Sequence, residues 1–172
     1  MKTNLRLLLF IVLLIGLIGC DRITKSIAKE QLQGKGTFSY FHDTFRLVYV
    51  ENTGAFLSLG ANWSDLTSNV VFIMLPLIFL VFLAVYIIRN RNKASLFVFL
   101  CMTFILAGGL GNLIDRIFYH RHVADFLNFG IQNLRTGILN FADMYVTIGV
   151  ILLIIFQMKD KKEPSSANNS PA

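Results

Sequence analysis

Cysteine is scarce in this sequence: 172 residues hold two, Cys20 and Cys101, both inside apolar runs. They supply neither a disulfide framework nor a four-thiolate metal site. Charge is scarce too, at 15% Asp, Glu, Lys and Arg against 55% hydrophobic residues, and the mean hydropathy is +0.61. Those values exclude a disordered chain, a collagen-like fibre and an ordinary nucleic-acid-binding domain. Common catalytic signatures are missing as well. There is no His-Glu-x-x-His and no Gly-x-Ser-x-Gly, and no Lys-Ser/Thr follows the glycines of Ala107-Gly-Gly-Leu-Gly111 to make a phosphate loop. In an apolar run such small residues more often permit close helix packing. His120 and His122 flank Arg121, and a metal site there would need two or three further ligands. Ser26 and Lys29 sit on an amphipathic stub and read as a solvated face rather than a Ser/Lys dyad.

What the chain has instead is long uncharged runs. Val70 to Ile88 is uncharged over 19 residues and Ala94 to Ile114 over 21. Leu7 to Cys20 and Met144 to Met158 are shorter. A hydrocarbon core about 30 Å thick takes about 20 helical residues. The two long runs meet that outright, and the outer two meet it if polar residues enter one end. Four spans are predicted, at about 5–24, 70–88, 94–114 and 138–158, in a mainly α four-transmembrane-helix bundle. Residues 1–162 form a single membrane domain. The Pro-, Ser- and Asn-rich tail 163–172 has too little to bury and is predicted to be disordered.

The charges between the spans orient them. Lys2 and Arg6 precede the first span, Arg89, Arg91 and Lys93 fill a very short link, and Lys159, Lys161 and Lys162 follow the last. Short basic segments stay on the cytoplasmic side, so both termini are predicted inside and two longer loops outside. The positive charge thus reads as a topology signal and not as a nucleic-acid footprint; no nucleic-acid partner is expected. In the first outer loop, Phe38-Ser-Tyr-Phe and Phe45-Arg-Leu-Val-Tyr-Val favour strands and Asn52-Thr-Gly54 a turn. A small β-sheet subdomain over about 36–60 is expected on the outer membrane face.

The N-terminus carries a second possible reading. A basic start, an apolar run and Leu17-Ile-Gly-Cys20 match a bacterial lipoprotein signal peptide ending in Leu-x-Gly-Cys. Three further spans, and the polar pattern that continues from Asp21, favour a retained first span.

Asp21, Asp115, Asp125 and Asp143 all flank or enter spans on the outer side. Ionisable groups in a span are costly and mark function by default. Counting back about 20 residues from Lys159 puts Asp143 roughly 6 Å below the outer surface. Asp125 lies in the loop that returns to this span and can be brought over Asp143. Two carboxylates in contact cannot both ionise; one keeps a proton, so one serves as general base on a water and the other as general acid. Such a pair hydrolyses peptide bonds. Asp115, beside Arg116, is the rival for the pair and is assigned a supporting role. A membrane carrier would place acids near the midplane, often in helices broken by Gly or Pro. Here the acids cluster at one face, and Pro76 lies in a span without one. A scaffold subunit would have no reason to unite Asp125 and Asp143.

Five motifs together resemble the lipoprotein signal peptidase (signal peptidase II) family, over about residues 5–158. They are Asp21-Arg-Ile-Thr-Lys25, Glu51-Asn-Thr-Gly-Ala-Phe56, Gly108-Gly-Leu-Gly-Asn-Leu-Ile-Asp-Arg116, Val123-Ala-Asp-Phe126 and Asn140-Phe-Ala-Asp143. The family usually has Asp-Gln where this chain has Asp21-Arg22. The resemblance implies an intramembrane aspartyl endopeptidase of the bacterial inner membrane. It would cut diacylglyceryl-modified prolipoproteins just before the lipid-bearing cysteine, with no cofactor or metal. By motif, Asp125 and Asp143 are the catalytic dyad. Asn52, Gly54 and Ala55 belong to the substrate-cradling loop, Asn112, Arg116 and Asn140 orient the scissile region, and Asp21 and Lys25 complete the substrate-binding set. Gly108 and Ala142 join Asp115 in support. The partners implied are prolipoproteins and membrane lipids, and nothing in the sequence asks for more than a monomer. Leu127 to Leu139 carries no matching motif.

Overall fold

The computed structural model describes residues 3–54, 60 and 62–160. Ala55 and the tail 163–172, on both of which the sequence raised expectations, lie outside them. The first helix, α1 (Thr3–Leu32), is followed by strands β1 (Phe38–Tyr40) and β2 (Phe45–Asn52). The second membrane crossing combines α2 (Asp65–Asn69), a π-helical turn (Val70–Met74) and α3 (Leu75–Asn90). Then come α4 (Leu96–Phe118), β3 (Val123–Ile131), β4 (Leu134–Arg135) and α5 (Phe141–Asp160).

Four segments are long and apolar enough to cross a membrane: Asn4–Leu32, Asp65–Asn90, Leu96–Phe118 and Phe141–Lys159. The helix of the first continues eight residues past residue 24, where the membrane span is predicted to end. Its last turns present Ala28 to the sheet, where Ala28 packs in a cluster with Phe126 and Leu127. The helix therefore runs unbroken through Cys20. The second crossing starts five residues before the uncharged run, where Ser64 caps α2 by accepting the Thr67 N–H at 3.2 Å. Pro76 explains the π turn. It has no N–H for the carbonyl four residues earlier and its ring crowds that carbonyl, so the preceding turn widens.

The bundle core is Phe10, Leu80, Ile87, Phe99, Met102, Leu106 and Leu113. Large apolar side chains such as Phe79, Phe82 and Ile15 stay exposed on the outside of the helices, the face that hydrocarbon would solvate. The α3–α4 link is tied to α1 by Arg6, whose Nη1 donates to the Arg91 and Ala94 carbonyls. Ser95 caps α4.

The sheet is antiparallel, in the order β1-β2-β3-β4. Strand-favouring residues in the sequence point to the first outer loop alone. The structure adds β3 and β4, which complete it from the second. Val123–Ile131 interleaves a carboxylate, an amide and a glycine with its apolar residues, and so it read as a loop. Pairing with β2 makes it a strand. The β2–β3 register runs Phe45↔Phe129 and Leu47↔Leu127, then shifts by one residue before Val50↔Asp125 and Asn52↔Val123. Such an irregularity re-aims the side chains of a strand end, here the end that carries Asn52 and Asp125.

The unmatched stretch Leu127 to Leu139 has a structural task. Leu139 pairs with Leu127, with N–H to carbonyl distances of 2.8 and 2.7 Å in the two directions. That pairing ties the start of α5 to β3. Thus Asp125 and Asn140 become neighbours although 15 residues separate them.

Candidate active site

Asn140 is the N-cap of α5. Its Oδ1 accepts the Asp143 N–H at 3.0 Å, and Asp143 Oδ2 accepts the Asn140 N–H at 3.0 Å. This is a reciprocal capping box, which satisfies two backbone donors that a helix start leaves open. It also fixes the Asp143 carboxylate at the first turn. Its other oxygen, Oδ1, accepts from Asn112 Nδ2 at 2.7 Å.

Asp125 arrives from β3. Its Oδ1 accepts from Asn140 Nδ2 at 2.6 Å and its Oδ2 from Asn52 Nδ2 at 3.1 Å. Asn140 therefore bonds to both carboxylates, and it is fully buried. Burial first, then the neighbouring Asp143 charge, push the Asp125 carboxyl up to about 6. The amide donors Asn52 and Asn140 and the Lys25 charge pull the other way. An acid so placed holds a proton in the range where an aqueous aspartate has lost it.

Helix packing makes room for this. A Cβ on Gly108 would strike the Ala142 carbonyl and come within 2.8 Å of Val146 Cγ2. Only a glycine at this contact lets α5 lie against α4 at the depth of Asn112. Ala142 is fully buried at the same contact. Gly111 does the same for α1: a Cβ there would sit 2.8 Å from Asp21 Oδ2 and 3.1 Å from Ala142 Cβ.

Asp21, Lys25 and Asp115 form a buried ionic cluster behind the pair. Asp21 Oδ1 accepts the Ala142 N–H at 2.9 Å, which satisfies another open donor of α5. Lys25 Nζ lies 2.8 Å from Asp21 Oδ2 and 2.7 Å from Asp115 Oδ2, forming an ion pair with each. It donates to Asn112 Oδ1 at 3.1 Å. Asp115 Oδ1 pairs with Arg22, whose Nη2 also donates to Tyr119 Oη at 2.9 Å. Arg22 was not among the expected site residues, and the signal for it was its departure from the Asp-Gln pattern. It brings a second cation to balance two buried carboxylates.

Arg116 reaches the loop after β2. Its Nη2 donates to the Gly54 carbonyl at 3.1 Å, and its guanidinium lies 5.9 Å from the centre of the Phe72 ring. Asn52 Oδ1 accepts the Gly54 N–H at 3.0 Å, closing a local turn. Of the residues expected at the site, Asp125, Asp143, Asn52, Asn112 and Asn140 thus share one hydrogen-bonded constellation. Gly54 and Arg116 border it, and Asp21, Lys25 and Asp115 lie behind it.

The signal peptidase (SPase) II family profile matches residues 12–159. The chain belongs to the signal peptidase II family. This is a family of aspartic peptidases. Among relatives, the lipoprotein signal peptidase of Borrelia hermsii (strain HS1 / DAH) is 36% identical over 163 residues, which cover 92% of this chain and 94% of that protein. That of Borrelia duttonii (strain Ly) is 42% identical over 134 residues, covering 74% and 77%. Two solved structures described as bacterial membrane enzymes, determined in meso at 2.3 and 1.9 Å resolution, have the same fold. Their TM-scores are 0.76 and 0.74 at 27% and 29% identity, and they cover 95% and 88% of this chain and 93% of each of theirs. With four apolar helices and these neighbours, this signal peptidase II family member is a multi-pass bacterial membrane protein.

Proposed function

We propose that this chain is an intramembrane endopeptidase that removes the signal peptide from diacylglyceryl-modified prolipoproteins, cutting just before the lipid-bearing cysteine. The supporting observation is Asn140, hydrogen-bonded at once to Asp125 and Asp143. A water held between the two carboxylates is the nucleophile. The ionised member takes a proton from it as its oxygen attacks the scissile carbonyl carbon. The protonated member then gives its proton to the leaving nitrogen as the C–N bond breaks. The products are a carboxyl terminus on the signal peptide and a free amine on the lipidated cysteine. The pair ends with one proton, as it began, and titrates as a unit.

Both termini face the cytoplasm and the site faces the outer side of the inner membrane, by the short basic segments around Arg6, Arg89, Arg91 and Lys159. Asp143 lies in the first turn of its helix, under the sheet, so a bond next to a lipid anchor meets it at the membrane surface. The substrate's acyl chains remain among the membrane lipids, and Arg116 and the Asn52–Gly54 turn border the extended segment. The helices and sheet act as one peptidase unit, and each copy carries both aspartates, so a monomer suffices.

Mass spectrometry of both fragments from a purified lipidated prolipoprotein tests this. The account expects one cut, immediately before the modified cysteine, and much slower cutting of the unlipidated form. A cut elsewhere, or equal rates on the two forms, contradicts it.

A further inference from the structure

Lys25 is 3% exposed and closed in by Asp21, Asp115 and Asn112. It also donates a hydrogen bond to an amide oxygen, Asn112 Oδ1. That oxygen also accepts from Asn140 Nδ2 at 3.1 Å. The same amide presents its NH2 to Asp143. An ammonium has donors only, and a carboxylate acceptors only. Turning the Asn112 amide over would set its NH2 against the ammonium and the Asn140 NH2, and its oxygen against the Asp143 carboxylate. Three contacts would then be repulsive at once.

We propose that Lys25 is a positioning residue. By bonding Asn112 Oδ1 it locks that amide in the orientation that holds Asp143, and through Asn140 the orientation that holds Asp125. This rests on the reading of Asp125 and Asp143 as the reacting pair. It differs from the substrate-contact role that motif resemblance gives Lys25. The ion pairs to Asp21 and Asp115 serve to keep the ammonium charged and in place, since a buried charge without partners is costly. Asp21 in turn is fixed by the Ala142 N–H of α5. Lys25 therefore ties α1 to the orientation of the pair on β3 and α5 without touching a reacting atom.

A double-mutant cycle tests it, with the full chain in detergent micelles and a lipidated prolipoprotein. Lys25→Met should lower kcat about a hundredfold, the scale on which misplaced groups cost rate, with KM within about threefold. Asn112→Ala should do the same. The double variant should be no slower than the slower single, because both remove one link. Multiplying effects, or a loss confined to KM, overturn the proposal, the latter in favour of direct substrate contact. So does wild-type kcat per folded molecule in Lys25→Met. If Lys25→Met does not fold, Asn112→Ala carries the test alone, since it leaves both ion pairs intact. Its melting temperature should stay within a few degrees while kcat falls, and wild-type kcat there overturns the proposal. Failure of the dyad itself reads out separately, as wild-type cleavage by Asp125→Asn.

Discussion

Asn140 Nδ2 donates to Asp125 Oδ1 at 2.6 Å while the Asn140 backbone N–H donates to Asp143 Oδ2 at 3.0 Å. One residue thus starts a helix and gathers two carboxylates from separate stretches of chain. Its two tasks use different atoms, so they can be separated.

Asn140→Ser keeps a side-chain oxygen for the Asp143 N–H, and serine is as good an N-cap as asparagine. It loses the NH2 that holds Asp125. The variant should lose about a hundredfold in kcat and about 1–3 kcal/mol of stability, because the buried Asp125 and Asn112 oxygens lose that donor. Asn140→Ala, which loses both, should cost about 1 kcal/mol of stability beyond Asn140→Ser. Thermal melting and turnover measured side by side check both.

Asp125 sets a pH dependence. Its carboxyl is held near 6 in the fold against about 3.9 in an unfolded chain. Between those values the folded Asp125 holds more proton than the unfolded one, so its contribution to stability should fall as pH rises from about 4 to about 6 and then level off. Asp125→Asn should remove that contribution, so stability over this window should rise more, or fall less, with pH than in wild type. Turnover should decline on the alkaline side once the pair has lost its shared proton. Denaturant midpoints and kcat/KM across pH 4 to 9 read both.

Gly108 should resist substitution where Gly16 does not. A Cβ at Gly108 meets the Ala142 carbonyl and Val146, while nothing lies within 4 Å of one at Gly16. Gly108→Ala should destabilise by about 1–3 kcal/mol, as overpacking does, and should displace α5 enough to suppress turnover. Gly16→Ala should leave turnover unchanged and not lower the melting temperature.

Much of this was legible in the residues, because the bilayer imposes a simple rule on them. Uncharged runs of helical length had to be spans, and an aspartate inside the last one needed a partner. How far the first helix runs was not legible. Residues 25–32 are amphipathic, and only their packing on Phe126 shows that the helix continues. The sheet was half legible: β1 and β2 are aromatic and β-branched, but β3 contains Asp125 and Asn128, which local preference assigns to loops. Leu139 carried no signal at all, since its value lies in a backbone pairing with Leu127 that no side-chain pattern encodes. The ionic cluster was visible as separate charges, and its closure by Arg22 depends on how α1 packs against α4.

The central claim is that Asp125 and Asp143 act as one hydrolytic pair. Single-turnover cleavage of a lipidated prolipoprotein by wild type, Asp125→Asn and Asp143→Asn, each shown to be folded by its melting transition, tests it most directly. The account predicts that both variants bind the substrate and leave it uncut. Cleavage at the wild-type rate by either variant would contradict it.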